Sequence, residues 1–282
     1  MRRVWIEAAL NGPWGRERQP RIPVRIRDIV AEGIAVADAG AAIVHVHGYD
    51  EATGRQRDEW QIYARIIEGI RARADVIVYP TLPFEAGSRF AHVEELARRG
   101  MIEWTVLDPG SVNFARYDAI GERAEGFVYA NSPSEISEGV RVVREYGLHA
   151  GYAIYEPGFT RLGAAIAKGP PEIRTPIYRF MFSDEFAWGF PPKPTYLDAH
   201  LALLDECAPG APWMVAGLGV DIEPLVAHAL ARGGHVRAGL EDAPWGSDCS
   251  NVHLVQRMVS LVRAAGDEPA TAADVRRGLV AR

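Results

Sequence analysis

The sequence predicts an α/β fold of the (β/α)8 TIM-barrel type. Three observations support this fold class: eight short apolar runs alternate with amphipathic stretches, the chain has 282 residues, and polar residues gather where the apolar runs end. Such an alternation is typical of buried parallel strands joined by crossover helices. Because barrels of roughly 250 residues form one domain, we expect a single TIM-barrel domain over residues 1–282.

The predicted elements follow one another along the whole chain. Strands are predicted at residues 4–10, 43–47, 76–81, 104–108, 151–155, 177–181, 213–217 and 235–239. Helices are predicted at residues 26–39, 60–73, 90–99, 134–146, 196–207, 222–231 and 252–264. Ser132 or Ser134 is placed to cap the helix that follows it, and Gly100, Gly147 and Gly233 stand where helices end.

An open, doubly wound sheet is the alternative architecture. It requires a glycine-rich phosphate-binding turn after an early strand, and residues 11–15, Asn-Gly-Pro-Trp-Gly, lack the G-x-G-x-x-G pattern. The barrel is therefore favoured. Residues 118–130 fit the repeat least well, and residues 127–130 predict an additional strand there.

Composition and charge restrict the class of partner. The chain carries 31 Lys and Arg against 37 Asp and Glu, a net charge of -6, and it has no basic stripe that would attract nucleic acid. No apolar run reaches the roughly 20 residues that cross a bilayer, and Glu7 interrupts the first one. Cys207 and Cys249 form no paired metal spacing. We therefore expect a soluble, cytoplasmic protein with neither a nucleic acid nor a membrane partner.

Two histidines end the second predicted strand, in the run Ala-Ile-Val-His-Val-His-Gly-Tyr-Asp at residues 42–50. Side chains on a strand alternate between its two faces, so His45 and His47 point the same way. Two neutral imidazoles suit Zn²⁺, and a catalytic zinc site needs a third protein ligand. The pair therefore predicts a site for Zn²⁺ or another divalent metal.

The eighth predicted strand supplies the third ligand. Arg237, Gly239 and Glu241 share one of its faces, and in a closed barrel only the first strand separates them from the histidines. Glu241 is therefore the expected ligand. Asp242 is then available to act as a base or to orient Arg237, whose planar guanidinium binds a carboxylate at two points.

Other polar residues stand at the ends of the predicted strands. Glu7 and Asn11 flank the end of the first strand, Thr81 ends the third, Asp108 ends the fourth and Glu156 follows the fifth. In a barrel these strand ends lie at one face, where catalytic residues are found. The pattern predicts a polar pocket at that face.

Three motifs give the chain a more specific resemblance. They are the histidine pair followed by Asp50 and Thr53-Gly54, the stretch Leu-Asp-Pro-Gly-Ser-Val-Asn-Phe at residues 107–114, and Arg-Ala-Gly-Leu-Glu-Asp at residues 237–242. With these motifs in order along nearly its whole length, the chain resembles the β-keto acid cleavage enzymes. The resemblance implies a (β/α)8 barrel, a divalent metal that is usually Zn²⁺, a homotetramer, and a reaction of a β-keto acid with acetyl-CoA that yields acetoacetate and a new acyl-CoA.

Carried over residue by residue, the resemblance assigns the metal ligands to His45, His47 and Glu241, and the reacting pair to Arg237 and Asp242. A β-keto acid can chelate one metal through its ketone and its carboxylate, and the metal charge stabilises the enolate that forms between them. Asp242, aided by Arg237, is expected to handle the proton.

A second group of residues is expected to surround the substrate. Glu156 matches the family's glutamate after the fifth strand, and it joins the catalytic group by orienting a ligand or the substrate. The hydroxyl groups of Thr81 and Ser111 are candidate substrate contacts. Glu7 and Asn11, at the first strand, are also candidates.

The chain departs from the family pattern at three places. Tyr49 stands where members commonly carry an arginine, and Pro-Thr-Leu-Pro at residues 80–83 replaces a Ser-Thr-Gly-Gly-type run. In the first loop, Pro13 or Trp14 replaces an acidic residue that binds the amino group of amino-substituted substrates. Trp14 is therefore a candidate contact for a quaternary ammonium or an apolar tail, since an indole face attracts poorly hydrated cations.

Two other functions are compatible with part of the sequence. A metal-dependent hydrolase of the amidohydrolase type also uses His-x-His in a barrel, but typically on the first strand and with further histidines after the fifth and sixth. Here Glu156 follows the fifth strand, and residues 177–188 contain no histidine. A ligand-binding homologue without catalysis would fit the departures at Tyr49 and residues 80–83, whereas the complete ligand set argues against it.

Overall fold

The computed structural model describes residues 1–84, 87–119 and 126–280. The strands are β1 (Arg3–Val4), β2 (Ile6–Ala9), β3 (Ile43–Val46), β4 (Ile77–Pro80), β5 (Trp104–Val106), β6 (Val112–Ala115), β7 (Gly126–Tyr129), β8 (His149–Ile154), β9 (Ile177–Phe182), β10 (Trp213–Gly217), β11 (His235–Ala238) and β12 (Glu268–Pro269). The α-helices are α1 (Gly15–Arg18), α2 (Ile26–Ala39), α3 (Trp60–Arg71), α4 (Ala91–Arg98), α5 (Pro133–Tyr146), α6 (Pro157–Lys168), α7 (Pro194–Cys207), α8 (Glu223–Ala231), α9 (Asn251–Ala264) and α10 (Ala272–Val280).

Eight parallel strands form the central sheet, in the order β4-β3-β2-β11-β10-β9-β8-β5. The two ends of this order, β4 and β5, approach each other, so the sheet curls into a nearly closed barrel. Helices connect successive strands and pack against their neighbours. The predicted (β/α)8 architecture is confirmed. None of the described helices is long and apolar enough to cross a membrane.

Local sequence signals explain where several helices begin and end. Ser132 caps α5: its hydroxyl accepts from Glu135 N at 3.3 Å, and Glu135 accepts from Ser132 N at 2.8 Å. This reciprocal pair satisfies backbone donors that a helix start leaves free. Gly147 ends the same helix at φ 60, a left-handed conformation that glycine adopts without steric cost.

The structure differs from the predicted elements at several places, while it confirms the additional strand predicted at residues 127–130. The predicted strand 4–10 is divided into β1 and β2, and β1 pairs with β12 outside the barrel. The strand predicted at residues 127–130 is present as β7, which pairs with β6 in an antiparallel hairpin; within the segment 118–130, residues 120–125 lie outside the described residues. Helix α6 is additional, and Gly158 and Gly163 lower the helix propensity of its sequence. The short helix α10 is also additional.

His200 of α7 is a buried base in apolar surroundings. Its ring stacks on Phe180 with centroids 4.6 Å apart, and neither ring nitrogen has a hydrogen-bond partner in the described part of the chain. Burial lowers the pKa of His200 to about 4. Since the unfolded value is about 6.5, the unfolded state binds more protons between these pH values, and stability falls as the pH falls through this window.

Replacing His200 by phenylalanine is expected to remove this part of the pH dependence. From the two pKa values, the wild-type chain loses about 2 kcal/mol of folding free energy through His200 between pH 7 and pH 5. Urea denaturation of both proteins at the two pH values isolates the difference, because all other titrating groups are shared. An identical pH dependence in both proteins would contradict the prediction.

Candidate active site

Three buried side chains converge at the carboxyl end of the barrel. His45 lies on β3, His47 follows the end of that strand, and Glu241 follows β11. In the sheet, β2 lies between β3 and β11. The side chains meet above β2, which is the arrangement that the strand order of a closed barrel predicts.

The spacing of these side chains fits a single metal ion. His45 Nε2 lies 3.6 Å from Glu241 Oε2, and His47 Nε2 lies 3.5 Å from Glu241 Oε1. One ligand atom of each residue lies within 4.8 Å of the others. Two ligands in a tetrahedral zinc site are roughly 3.4 Å apart. His47 Nε2 and Glu241 Oε2 have no hydrogen-bond partner among the described residues, so both are available to an ion.

Neighbouring amide side chains hold both the backbone and the ring of His47. Asn11 Oδ1 accepts from His47 N at 2.9 Å, and Asn11 Nδ2 donates to His47 O at 3.0 Å. His47 Nδ1 lies 2.9 Å from Gln56 Oε1, while Gln56 Nε2 donates to Asp58 Oδ2 at 2.8 Å. Because this amide uses its NH2 group on Asp58, its oxygen accepts the Nδ1 proton. The unprotonated Nε2 of His47 then faces Glu241.

Tyr49 supports the loop beside Glu241. The Tyr49 hydroxyl donates to Gly12 O. Gly12 has φ +61, and a Cβ atom at this position would lie 2.7 Å from Glu241 Cγ. Position 12 therefore requires glycine for its left-handed backbone and for its close approach to Glu241.

Arg237 is the central cation beside the candidate metal site. Its Nε and Nη2 atoms each donate to Asp242 at 2.8 Å, and Nη2 also lies 2.7 Å from Glu241 Oε1. Its Nη1 donates to Glu7 Oε1 at 3.0 Å, and the Tyr79 hydroxyl donates to the same oxygen at 2.6 Å. One buried guanidinium thus pairs with three buried carboxylates.

Burial and neighbouring charge set the ionisation of these groups. Burial raises the pKa of Asp242 to about 6, although Arg237 acts in the opposite direction. Burial also opposes ionisation of Glu241, but Arg237 and the two histidines outweigh it and hold the pKa of Glu241 well below its ordinary value. Burial lowers the pKa of His45 well below its usual value. Near neutral pH, Glu241 is ionised and His45 is neutral, the forms that bind metals.

The three converging side chains open onto a cavity at the carboxyl end of the barrel. Arg237 and Thr81 also line it. The remaining wall is largely apolar and aromatic, and it includes Trp14, Phe84, Phe114, Tyr155, Met181 and Leu218.

The other predicted site residues lie outside this lining. Asp242 lies behind Arg237, and Glu7 is fully buried deeper in the barrel, where it binds the same guanidinium. Glu156 is half-buried, and its Oε1 accepts from a backbone N–H in the loop after β9 at 3.1 Å. Ser111 is exposed, and its hydroxyl donates to a backbone carbonyl after β7 at 3.1 Å.

Three residues of the site are not identified by the sequence patterns. Arg179 lies within the apolar run of β9 and lines the cavity. An arginine inside an otherwise apolar strand is a sequence signal that could have identified it as a site residue. Gln56 and Tyr79, which contact His47 and Glu7, carry no comparable signal. Tyr79 meets Glu7 across 72 residues, and Gln56 reaches His47 from the loop after β3, so neither contact follows from local periodicity.

Comparison with known proteins places the chain in a family. Residues 3–280 match the model of the beta-keto acid cleavage enzyme family. The chain is 27% identical over 285 residues to a 3-keto-5-aminohexanoate cleavage enzyme of Fusobacterium nucleatum, covering 98% of this chain and 97% of that relative. It is 26% identical over 306 residues to a 3-dehydrocarnitine:acetyl-CoA trimethylamine transferase of Rhizobium meliloti, covering 99% of this chain and 96% of that relative.

The fold also has solved counterparts. The binary complex of ObcA with oxaloacetate superimposes with a TM-score of 0.74 at 16% identity, covering 93% of this chain and 67% of the other. At this identity the likeness establishes the fold alone. The family match spans nearly the whole chain, and it agrees with the barrel and with the convergence of two histidines and a glutamate at its carboxyl end. The chain therefore belongs to the β-keto acid cleavage enzyme family.

Proposed function

We propose that this chain cleaves a β-keto acid in a metal-dependent reaction with acetyl-CoA. A substrate R–CO–CH2–COO⁻ would react with acetyl-CoA to give acetoacetate and R–CO–SCoA, so that the CH2–COO⁻ unit passes to the acetyl group and CoA passes to the acyl group. The observation that carries the proposal is the buried set of His45, His47 and Glu241, open to a cavity with a largely aromatic wall. Family membership and the acetyl-CoA in the name of the Rhizobium relative support it.

We propose Zn²⁺ as the bound metal, with another divalent ion as the alternative. Two imidazoles and one carboxylate form a known catalytic zinc set that leaves a position for substrate. When bound, the ion would polarise the keto and carboxylate oxygens and stabilise the enolate charge. His45, His47 and Glu241 would hold it.

The proton of the substrate CH2 group is proposed to pass to Asp242. In the structure both oxygens of Asp242 are bonded to Arg237. The transfer therefore requires the guanidinium to turn from Asp242 towards the substrate, where its charge would stabilise the enolate. Glu7 holds the far side of Arg237 through Nη1. Glu156 is proposed to act as a positioning residue, because its carboxylate fixes the loop after β9.

An apolar tail is the proposed R group of the substrate. The Trp14 ring is already engaged by Arg18, whose Cζ lies 5.8 Å from its centroid, and by Phe186, which stacks at 5.8 Å. These contacts disfavour a quaternary ammonium on the indole face. Phe84, Phe114 and the other apolar lining residues continue the wall beyond Trp14.

Replacing Gln56 by leucine is expected to weaken metal binding by about 10–100-fold, because an orienting hydrogen bond to a ligating imidazole contributes that much to affinity. The substitution removes the acceptor for His47 Nδ1 without touching a ligand atom. Titration of the metal-free protein with Zn²⁺ measures the change. The matched control is Arg55→Ala at the exposed neighbouring position. Equal affinity in the leucine variant and the wild type would contradict the role of Gln56.

A metal assay followed by a substrate panel tests the proposed function. Purified protein is expected to retain about one divalent ion per chain and to form acyl-CoA from acetyl-CoA and β-keto acids. The panel compares alkyl, amino and trimethylamino tails, and turnover is expected to be highest with the alkyl tail. Purified protein that holds no metal would contradict the proposed reaction. Hydrolysis of the β-keto acids without CoA would instead support a metal-dependent hydrolase.

We also propose a homotetramer, on the basis of the family resemblance. Phe127 and Val128 on β7 expose 40% and 61% of their surfaces, which is compatible with a contact between subunits. Light scattering coupled to size-exclusion chromatography measures the assembly directly.

A further inference from the structure

The cavity contains a buried cation that the proposed chemistry does not use. Arg179 lies on β9 and is 2% exposed. Its Nε and Nη2 atoms have no hydrogen-bond partner within residues 1–84, 87–119 and 126–280. Its Nη1 lies 3.8 Å from Glu7 Oε1, which is beyond hydrogen-bond distance. A buried guanidinium with free donors is strongly unfavourable unless a partner is supplied.

A purely structural role as the counter-ion of Glu7 does not account for this arrangement. Glu7 Oε1 already accepts from Tyr79 at 2.6 Å and from Arg237 at 3.0 Å. Arg179 is the more distant cation, and its remaining donors do not face that oxygen at bonding distance. The charge of Glu7 therefore supports Arg179 only through space.

The fold nevertheless makes room for the guanidinium of Arg179. A Cβ atom at Gly151 on β8 would lie 1.8 Å from Arg179 Nη2, so only glycine leaves this space open. The guanidinium carbon also lies 5.4 Å from the centroid of the Tyr79 ring. These contacts fix the position of the guanidinium without using its hydrogen-bond donors.

We propose that Arg179 binds the carboxylate of the β-keto acid, an inference that rests on the proposed function. Arg179 lines the same cavity as His45 and Glu241, while the wall also carries Trp14 and Phe84. A planar guanidinium with free donors matches a planar carboxylate. Its burial favours the small acid of the keto substrate over the bulky phosphates of CoA. The carboxylate end of the substrate thus lies against Arg179, and the acyl tail extends along the aromatic wall.

The test compares two probes that differ only in charge at the carboxyl position, acetoacetate and its neutral amide, acetoacetamide. Calorimetry with the metal-loaded wild-type protein is expected to show at least about a tenfold preference for acetoacetate, as charge-assisted hydrogen bonds provide. In Arg179→Gln the preference is expected to fall about tenfold, to the part that the metal alone provides, with metal content unchanged. An unaltered preference in this variant overturns the proposal.

Two further variants keep the result decisive. Gly151→Ala retains every charge but displaces the guanidinium, and its preference for acetoacetate is expected to fall as in Arg179→Gln. If Arg179→Gln fails to fold, Gly151→Ala decides the test. A preference equal to that of the wild type then overturns the proposal. Arg276→Gln removes an arginine that pairs with Glu103 and Asp75 away from the cavity, and it should leave the preference intact. If Arg179 controls the preference but no β-keto acid turns over with acetyl-CoA, the proposed reaction fails while the carboxylate-binding role stands.

Discussion

Replacing Glu241 by glutamine is expected to abolish metal retention and acetyl-CoA-dependent turnover together. Glu241 Oε1 and Oε2 lie 3.5 and 3.6 Å from the Nε2 atoms of His47 and His45, so the carboxylate supplies both a ligand and the negative charge of the set. Losing a residue that merely orients a ligand costs about 10–100-fold in metal affinity, and losing the ligand itself should cost more. Metal analysis after dialysis and calorimetric titration measure the effect.

The matched control for Glu241 is Glu156→Gln. It removes a half-buried carboxylate that bonds a backbone N–H and lies apart from the ligand set. This control should retain its metal. His45→Ala is expected to behave like the Glu241 variant, since both residues contact the same ion in the proposal. Full metal content in either ligand variant would remove that residue from the set.

Arg237→Met is expected to give the largest loss of stability. Arg237 is the shared partner of Glu7, Glu241 and Asp242, all of which are buried. Methionine fills similar space but leaves these carboxylates without their cation. Removing one member of a buried ion pair costs about 3–5 kcal/mol, and an effect at the upper end of this range is expected here. Urea denaturation of metal-free protein measures it without a contribution from the metal.

A second substitution separates lost charge pairing from lost packing at Arg237. Adding Asp242→Asn to the methionine variant removes one uncompensated charge, so part of the lost stability should return. Arg276→Gln provides the control for an arginine in partly exposed ion pairs, where a loss below about 1 kcal/mol is expected. If Arg237→Met were as stable as the wild type, the account of the buried carboxylates would be wrong.

Strand ends and helix ends are predictable from the sequence because local chemistry determines them. The apolar runs identify the eight barrel strands, and residues such as Ser132 and Gly147 mark the ends of α5 through hydrogen bonds made within a few residues. Helix α6 is not predicted, and Gly158 and Gly163 lower the helix propensity of its sequence. The break between β1 and β2 is not predicted either. Strand β1 pairs with the distant strand β12 outside the barrel, a contact that no local pattern encodes.

The convergence of the candidate ligands is predictable for a different reason. Once the strand order is known, period-two alternation brings His45, His47 and Glu241 to the same end of the barrel. The contacts that orient them are not predictable in this way. Gln56 reaches His47 from a loop, and Tyr49 supports Gly12 across 37 residues. Such contacts depend on how loops fold over the barrel, which no local periodicity encodes.

The barrel is open between β4 and β5, and the strands around the cavity therefore differ in how many neighbours they are hydrogen-bonded to. The candidate ligands stand on or just after β3 and β11, which β2 joins through backbone hydrogen bonds, whereas the hydrogen-bonded order of the described strands begins at β4 and ends at β5. Leu82 and Phe84 follow β4, and Phe114 lies on the hairpin after β5, so this wall flanks the break. Strands β3 and β11 are hydrogen-bonded to a neighbour on both sides, whereas β4 and β5 each have one neighbour in the described sheet, so the wall at the break can open locally at lower free energy. A fixed ion geometry can therefore be combined with a wall that adapts to acyl groups of different shape.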